Sequence, residues 1–410
     1  MKWNIRVAIS LALLSSFVCA AKGHPVPAYT FTCIGSQGVG PCPNGARPYT
    51  ILQGSNGNFY GTAVLSEIGP SNSGGTVFSL TRKKVFTVLY TFLPGPQNNY
   101  PNGAGPGLMI QGPDGMLYGS APAGGINNHG SLFRVNTDGS GFQVLHLFCS
   151  EPNCADGDYP TALVVGADGN LYGTTIYGGA GQTGSCTGGA CGAIFQVIPS
   201  SGDYNVVFSF TDPQTQGLNP TSLILGPNGS LYGDSGPFLF EFTPSSNAFQ
   251  VTDFPLVDGI PAVGNPAAVG PNGNIYGLYS VYGINGEGVF EFDVNGEQGN
   301  DVQLFPFYNT IPDGGTPEQV ILGSDGNLWV CDYSGSTGYG DIISLSTSDG
   351  TLLQSFTPFK PSAKVGAYPF GITQASDGVL WGTTFDFGIA PKGDFAGGTV
   401  YSLKAGLPPR

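Results

Sequence analysis

Histidine is nearly absent from this chain: three in 410 residues, His24, His129 and His146. A multi-histidine metal centre is therefore excluded, and few acid–base groups of the usual kind remain. Basic residues are also scarce, with 13 Lys and Arg against 27 Asp and Glu and a formal net charge of −14. Phosphate backbones and anionic membranes need clustered Lys and Arg. The one such cluster, Arg82-Lys83-Lys84, reads as a solvated hairpin turn, so nucleic acid is set aside as a partner. No stretch after residue 20 carries sustained helical periodicity or a second long hydrophobic run. Glycine (67) and proline (33) are abundant instead. They recur in register with apolar runs, which marks turns between short strands rather than disorder.

Residues 1–20 read as a secretion signal, and residues 21–410 as one domain. Lys2 and Arg6 form the charged start, Val7 to Val18 the apolar stretch, and Val18-Cys19-Ala20 the cleavage site. Cleavage there moves the net charge from −14 to −16. The expected product is a soluble extracellular or periplasmic protein, monomeric and without a membrane span. Seven cysteines remain. Three close pairs, Cys33 with Cys42, Cys149 with Cys154 and Cys186 with Cys191, suit local disulfides in an oxidising compartment, although six cysteines allow 15 connectivities. A zinc site is the alternative use of such pairs. Cys331 is left over, and a buried free thiol is expected there.

One phrase recurs seven times: Gly57-Asn-Phe-Tyr-Gly-Thr62, then copies starting at Gly115, Gly169, Gly229, Gly273, Gly326 and Gly378. The spacings are 58, 54, 60, 44, 53 and 52 residues. Strand-rich repeats of about 50 residues belong to propellers. The third copy spells out a unit. Pro160 to Val165 is a first strand, Gly166-Ala-Asp-Gly169 a tight turn, and Leu171 to Thr175 a second strand. Gly192 to Val197 and Asn205 to Phe210 complete a four-stranded antiparallel meander. The glycine after the repeat aromatic implies close backbone approach, and Trp329 and Trp381, at the Tyr position, read as blade packing. The last copy stops at Leu403 without a fourth strand, while Tyr29-Thr-Phe31 resembles the fourth-strand pieces Leu89 to Phe92 and Val207 to Phe210. The expectation is an all-β, seven-bladed propeller closed by an N-terminal strand that completes the last blade and removes two sheet edges.

Gly166 to Gly179 and Gly75-Thr-Val-Phe-Ser-Leu80 resemble the bacterial tandem-repeat family called GloVer, over residues of about 28 to 404. That resemblance implies a secreted repeat protein and supplies no activity. Gly326-Asn-Leu-Trp-Val-Cys-Asp332 is more loosely similar to the propellers of streptogramin lyases and sugar-lactone hydrolases.

Meander topology places the 1–2 and 3–4 turns on one side of the disc. The long, unequal 2–3 and blade-to-blade loops fall on the other, where function normally resides. That loop face offers Tyr100, Tyr159, Tyr177, Tyr282, Tyr333, Phe385 and Asp386 as ligand-binding candidates. Tyr49 and Phe370, each just after a repeat proline, could ring the channel mouth. Aromatics with uncharged hydrogen-bonding groups suit a neutral glycan or a peptide. Packing of loop bases is the structural alternative for each tyrosine. Catalytic candidates are Glu318, Asp332, Asp234 and His129, without an assembled catalytic set. Asp156 and Asp158 are candidates for a calcium site, short of a full ligand set. No cofactor is expected. The leading expectation is a glycan- or peptide-binding protein without catalysis. The alternatives are a carbohydrate-active hydrolase or lyase using carboxylates near the channel mouth, or a structural cell-envelope repeat protein.

Overall fold

The computed structural model describes residues 23–34, 42–65, 74–96, 99–180, 191–257, 260–281, 287–294, 302–307, 316–335, 337–390 and 394–410. The signal segment, Cys186 and Tyr282 lie outside them. The strands form seven antiparallel sheets arranged as a seven-bladed β-propeller, six of them consecutive meanders and the last completed by the N-terminal strand. Blade three is Asp158–Val165, Leu171–Tyr177, Ala193–Val197 and Tyr204–Ser209. Blade five gains a short extra strand, Leu256–Val257, paired with the start of Ile260–Val269, which the repeat pattern did not signal.

Built from its C-terminal strands alone, the last blade would have three strands and an open outer edge. The final blade runs in the order Ala367–Gln374, Leu380–Asp386, Phe395–Leu403 and then Val26–Cys33. The N-terminal strand pairs from Val26 opposite Ser402 to Cys33 opposite Phe395. Ring stacking repeats across the outer strands: Tyr29 on Phe86 at 3.7 Å, Tyr90 on Phe142 at 3.4 Å, His146 on Tyr204 at 3.7 Å and Phe208 on Phe249 at 4.1 Å. Tyr29 thus takes the place in blade seven that Tyr90, His146 and Phe208 take in blades one to three. The Cys33–Cys42 disulfide then fixes this strand to the start of blade one.

The repeat phrase is explained by its contacts. The Asp or Asn two residues before Asn58, Met116 and Asn170 accepts their backbone N–H, closing the first turn. The same side chain meets the buried aromatic: Asn56 donates to Tyr60 Oη, and Tyr118 and Tyr172 donate to Asp114 and Asp168. Trp329 Nε1 bonds Asp325 in the same way at 3.3 Å. In blade seven Asp377 pairs instead with Arg82, and Trp381 Nε1 has no hydrogen-bond partner among the described residues.

The glycine after the aromatic is a steric requirement. A Cβ on Gly173 would come within 2.2 Å of the Phe195 ring, and one on Gly61 within 2.4 Å of Phe78. Blade six has Val330 at this place, and its cross-strand neighbour is Ile343 rather than an aromatic ring. Second-strand threonines tie blades together, as Thr62 Oγ1 donates to Gly107 O in blade two at 2.7 Å.

Candidate functional site

Strand starts and strand ends from blades five, six, seven and one converge on the loop-side mouth of the channel. Blade six supplies two carboxylates. Glu318 follows Pro317 on the inner strand, and Asp332 ends the second strand. Asp332 is fully buried. Its Oδ1 accepts N–H groups from Thr316 at 2.7 Å and Gly335 at 3.1 Å, whereas its Oδ2 has no partner among the described residues. An unpaired acceptor disfavours the charged form in a dry site. Burial, with added repulsion from Asp341, pushes the Asp332 carboxyl up to about 6 despite its N–H partners.

Glu318 is open to the channel, yet the surrounding protein displaces much of its hydration. That desolvation, with repulsion from Glu287 and Asp332, raises its carboxyl to about 7. Water in the channel works against this shift. Glu287, at the start of a blade-five strand, is raised by burial and by Asp332. Sequence reasoning missed Glu287 because it lies in no repeat irregularity.

Opposite these groups stands an aromatic wall. Tyr49 and Phe370 pack at 4.6 Å, Phe370 and Phe385 at 5.8 Å, and Tyr333 stacks on Tyr368 at 4.6 Å. Burial, followed by Glu318, raises the Tyr49 hydroxyl. Arg47 lies 5.0 Å over the Phe385 ring and 3.5 Å from Asp386. Burial raises the Asp386 carboxyl and Arg47 opposes this. Arg47, Tyr159, Asn219 and Tyr368 all adopt positive φ, between 55° and 61°, and each precedes a repeat proline. Left-handed backbone at a non-glycine residue costs about 1–2 kcal/mol, and such strain concentrates at functional sites. The X-Pro dipeptide did not signal this, since proline ordinarily pushes its predecessor to extended backbone at negative φ.

Other candidates lie elsewhere. Asp234 is buried in blade four, and both oxygens are occupied: Thr221 N, Ser222 N and Ser222 Oγ bond Oδ1, and Thr221 Oγ1 bonds Oδ2. It holds the inner strand and is closed to substrate. Asp156 is similarly filled by Ser150 N, Ser150 Oγ, Glu151 N and His146 Nε2. Asp158 pairs with His129 Nδ1 at 2.8 Å. Asp156 is thus engaged on both oxygens, and Asp158 on Oδ1. Tyr159 and Tyr177 sit 6.4 Å apart on the blade-three rim, each 40% exposed. Tyr100 packs in the loop before blade two. Cys149 and Cys154 are disulfide-bonded, as is Cys191, and Cys331 is free and buried.

A cavity of about 460 Å³ opens at the other end of the channel, lined by Ala267, Val269, Leu322 and Arg410. The Arg410 guanidinium is engaged with Gln374 and Leu322 O, and none of Glu318, Asp332 and Glu287 lines this cavity. Among the described residues, no helix is long and apolar enough to cross a membrane.

Comparison with known families matches residues 47–251, half of the chain, to the Gloeobacter/Verrucomicrobia repeat. The chain belongs to the Gloeobacter/Verrucomicrobia repeat family. No curated protein sequence matches it significantly. Solved structures share the fold of this family member. An oligogalacturonate lyase in complex with manganese aligns with a TM-score of 0.55 at 12% identity, over 95% of this chain and 98% of its own. A fungal alcohol oxidase in complex with copper aligns at 0.57 and 13%, over 94% and 76%. A gluconolactonase from Xanthomonas campestris aligns at 0.45 and 13%, over 95% and 98%. At these identities the likeness concerns the propeller alone.

Proposed function

We propose that the loop-side mouth is a neutral-glycan site at which Glu318 acts as a general acid–base group, making the protein a carbohydrate-active hydrolase or lyase. The observation that carries this reading is a solvent-reachable carboxyl raised to about 7, near the tilted Tyr49–Phe370 and stacked Tyr333–Tyr368 ring pairs. A group titrating near 7 is present in both protonation states at neutral pH, which is what proton transfer requires. Sugar rings present C–H faces that pack on Tyr49, Phe370 and Tyr333. In hydrolysis, Glu318 gives its proton to the leaving oxygen as the glycosidic bond breaks. The incoming water bonds to the sugar carbon and returns a proton to Glu318. Asp332 and Glu287 act through Glu318 by holding its proton affinity up, and are positioning residues.

The test is release of sugar products from a panel of neutral polysaccharides by purified protein. Glu318→Gln is expected to lower turnover by about 10²–10⁴-fold. Unchanged turnover in that variant would contradict the reading. Binding without turnover is a second reading, favoured by the exposed rings of Tyr159, Tyr177 and Tyr339 on the rim. Glycan retention with no product from any substrate would select it.

A further inference from the structure

A second cluster lies between blades two and three, outside the channel mouth. A ring nitrogen of His129 and the sulfurs of Cys149 and Cys154 all lie within 4.8 Å of one another, and all three residues are partly exposed. They are the one trio of metal-type ligands so placed among the described residues. We propose that these residues form a soft-metal site, suited to Zn²⁺, that exists only in the reduced protein. The Cys149–Cys154 disulfide is the gate.

Contacts other than the S–S bond hold each ligand. Cys149 N donates to Gly157 O, Cys154 N to Glu151 O, and Gly157 and Gly179 both donate to Cys154 O. The Asp156 carboxylate gathers Ser150, Glu151 and His146 inside the same loop, and Tyr204 Oη donates to Asp156 O at 2.6 Å. The backbone positions of both cysteines therefore do not depend on their disulfide. His129 is held independently, by Asp158 at 2.8 Å and by Tyr159 N donating to His129 O. A carboxylate on one nitrogen of a metal-binding imidazole fixes ring orientation and raises ligand basicity. Two thiolates and one imidazole, with water in the fourth position, make a tetrahedral zinc site.

The chemistry balances with a dithiol as reductant. It gives two electrons and two protons to the S–S bond and becomes a disulfide itself. The two new thiols lose their protons as the ion binds, and the sulfurs separate to the spacing of two ligands on one ion. Transfer of two electrons from the thiolates to a disulfide oxidant, which becomes a dithiol, re-forms the S–S bond and expels the metal. Among the described cysteines, Cys33, Cys42 and Cys191 are buried, whereas Cys149 and Cys154 are partly exposed and open to a mild reductant.

The test is titration of the full chain with Co²⁺, before and after mild phosphine reduction, with thiol alkylation to count which cysteines are free. The reduced protein is expected to bind one Co²⁺ with thiolate charge-transfer absorption, and the oxidised protein none. His129→Ala should weaken binding at least 10-fold, and Asp158→Asn about 10-fold. Cys186→Ala/Cys191→Ala should keep the spectrum, and Cys149→Ala/Cys154→Ala should abolish it. Circular dichroism checks that each variant folds. Absence of the spectrum in protein whose Cys149 and Cys154 are shown to be reduced would overturn the proposal. So would an affinity undiminished by His129→Ala, or equal binding to the oxidised form.

Discussion

Two buried aspartates on the loop-side ends of second strands have opposite surroundings. Asp234 in blade four receives four hydrogen bonds from Thr221 and Ser222, on both oxygens. Asp332 in blade six receives its N–H partners on one oxygen and leaves the other bare. Burial raises both carboxyls, and at Asp234 every described partner pulls back against that rise. The first is a fastener for its own inner strand. The second is an unspent charge beside three other carboxylates, Glu318, Glu287 and Asp341, and it shapes the proton affinity of Glu318. Burial of an acid is thus uninformative until each oxygen is accounted for.

Removing the fastener should have the largest effect. Asp234→Ala strands the Thr221 and Ser222 donors and is expected to cost about 3–5 kcal/mol, read by urea denaturation. A loss below about 1 kcal/mol would erase the distinction between the two aspartates. Asp332→Asn should behave differently. Because the folded carboxyl titrates near 6, against 3.8 when unfolded, its contribution is fully present below pH 4 and is lost as pH rises through 6. The variant should therefore flatten the decline of stability between pH 4 and 7, gaining roughly 1–3 kcal/mol relative to wild type at the upper end. Thermal melts across that range check the sign. A parallel pH dependence in both proteins would contradict it. At pH 4 and below, where Glu318 is protonated, Glu318→Gln should change stability by less than about 0.5 kcal/mol. As pH rises through 7 it should become stabilising, by an amount reduced by channel water, while removing the proposed proton transfer. A steep loss of stability would recast Glu318 as structural.

The scaffold was legible because each repeat residue has a local cause: Gly173 makes room for Phe195, and Asp168 serves a turn and a tyrosine at once. Ring closure was legible because Tyr29 and Phe31 repeat a fourth strand. The site was legible only as departures from the phrase, which brought Glu318, Asp332 and Asp234 forward together. Sequence does not distinguish the last two, since the Thr221 and Ser222 donors become significant only when strand pairing brings them to Asp234. Arg47 and Tyr368 were not legible, because nothing in the repeat marks the residue before the proline rather than the one after the proline. Their strained backbone comes before it. Glu287 meets Glu318 only through the packing of blade five on blade six.

The most direct test of the central claim is a carbon-13 carboxyl titration by NMR, with Glu318→Gln and Asp332→Asn used for assignment. The account predicts that Glu318 titrates near 7 and Asp332 near 6. Both resonances titrating in the ordinary carboxylate range, close to pH 4, would contradict it.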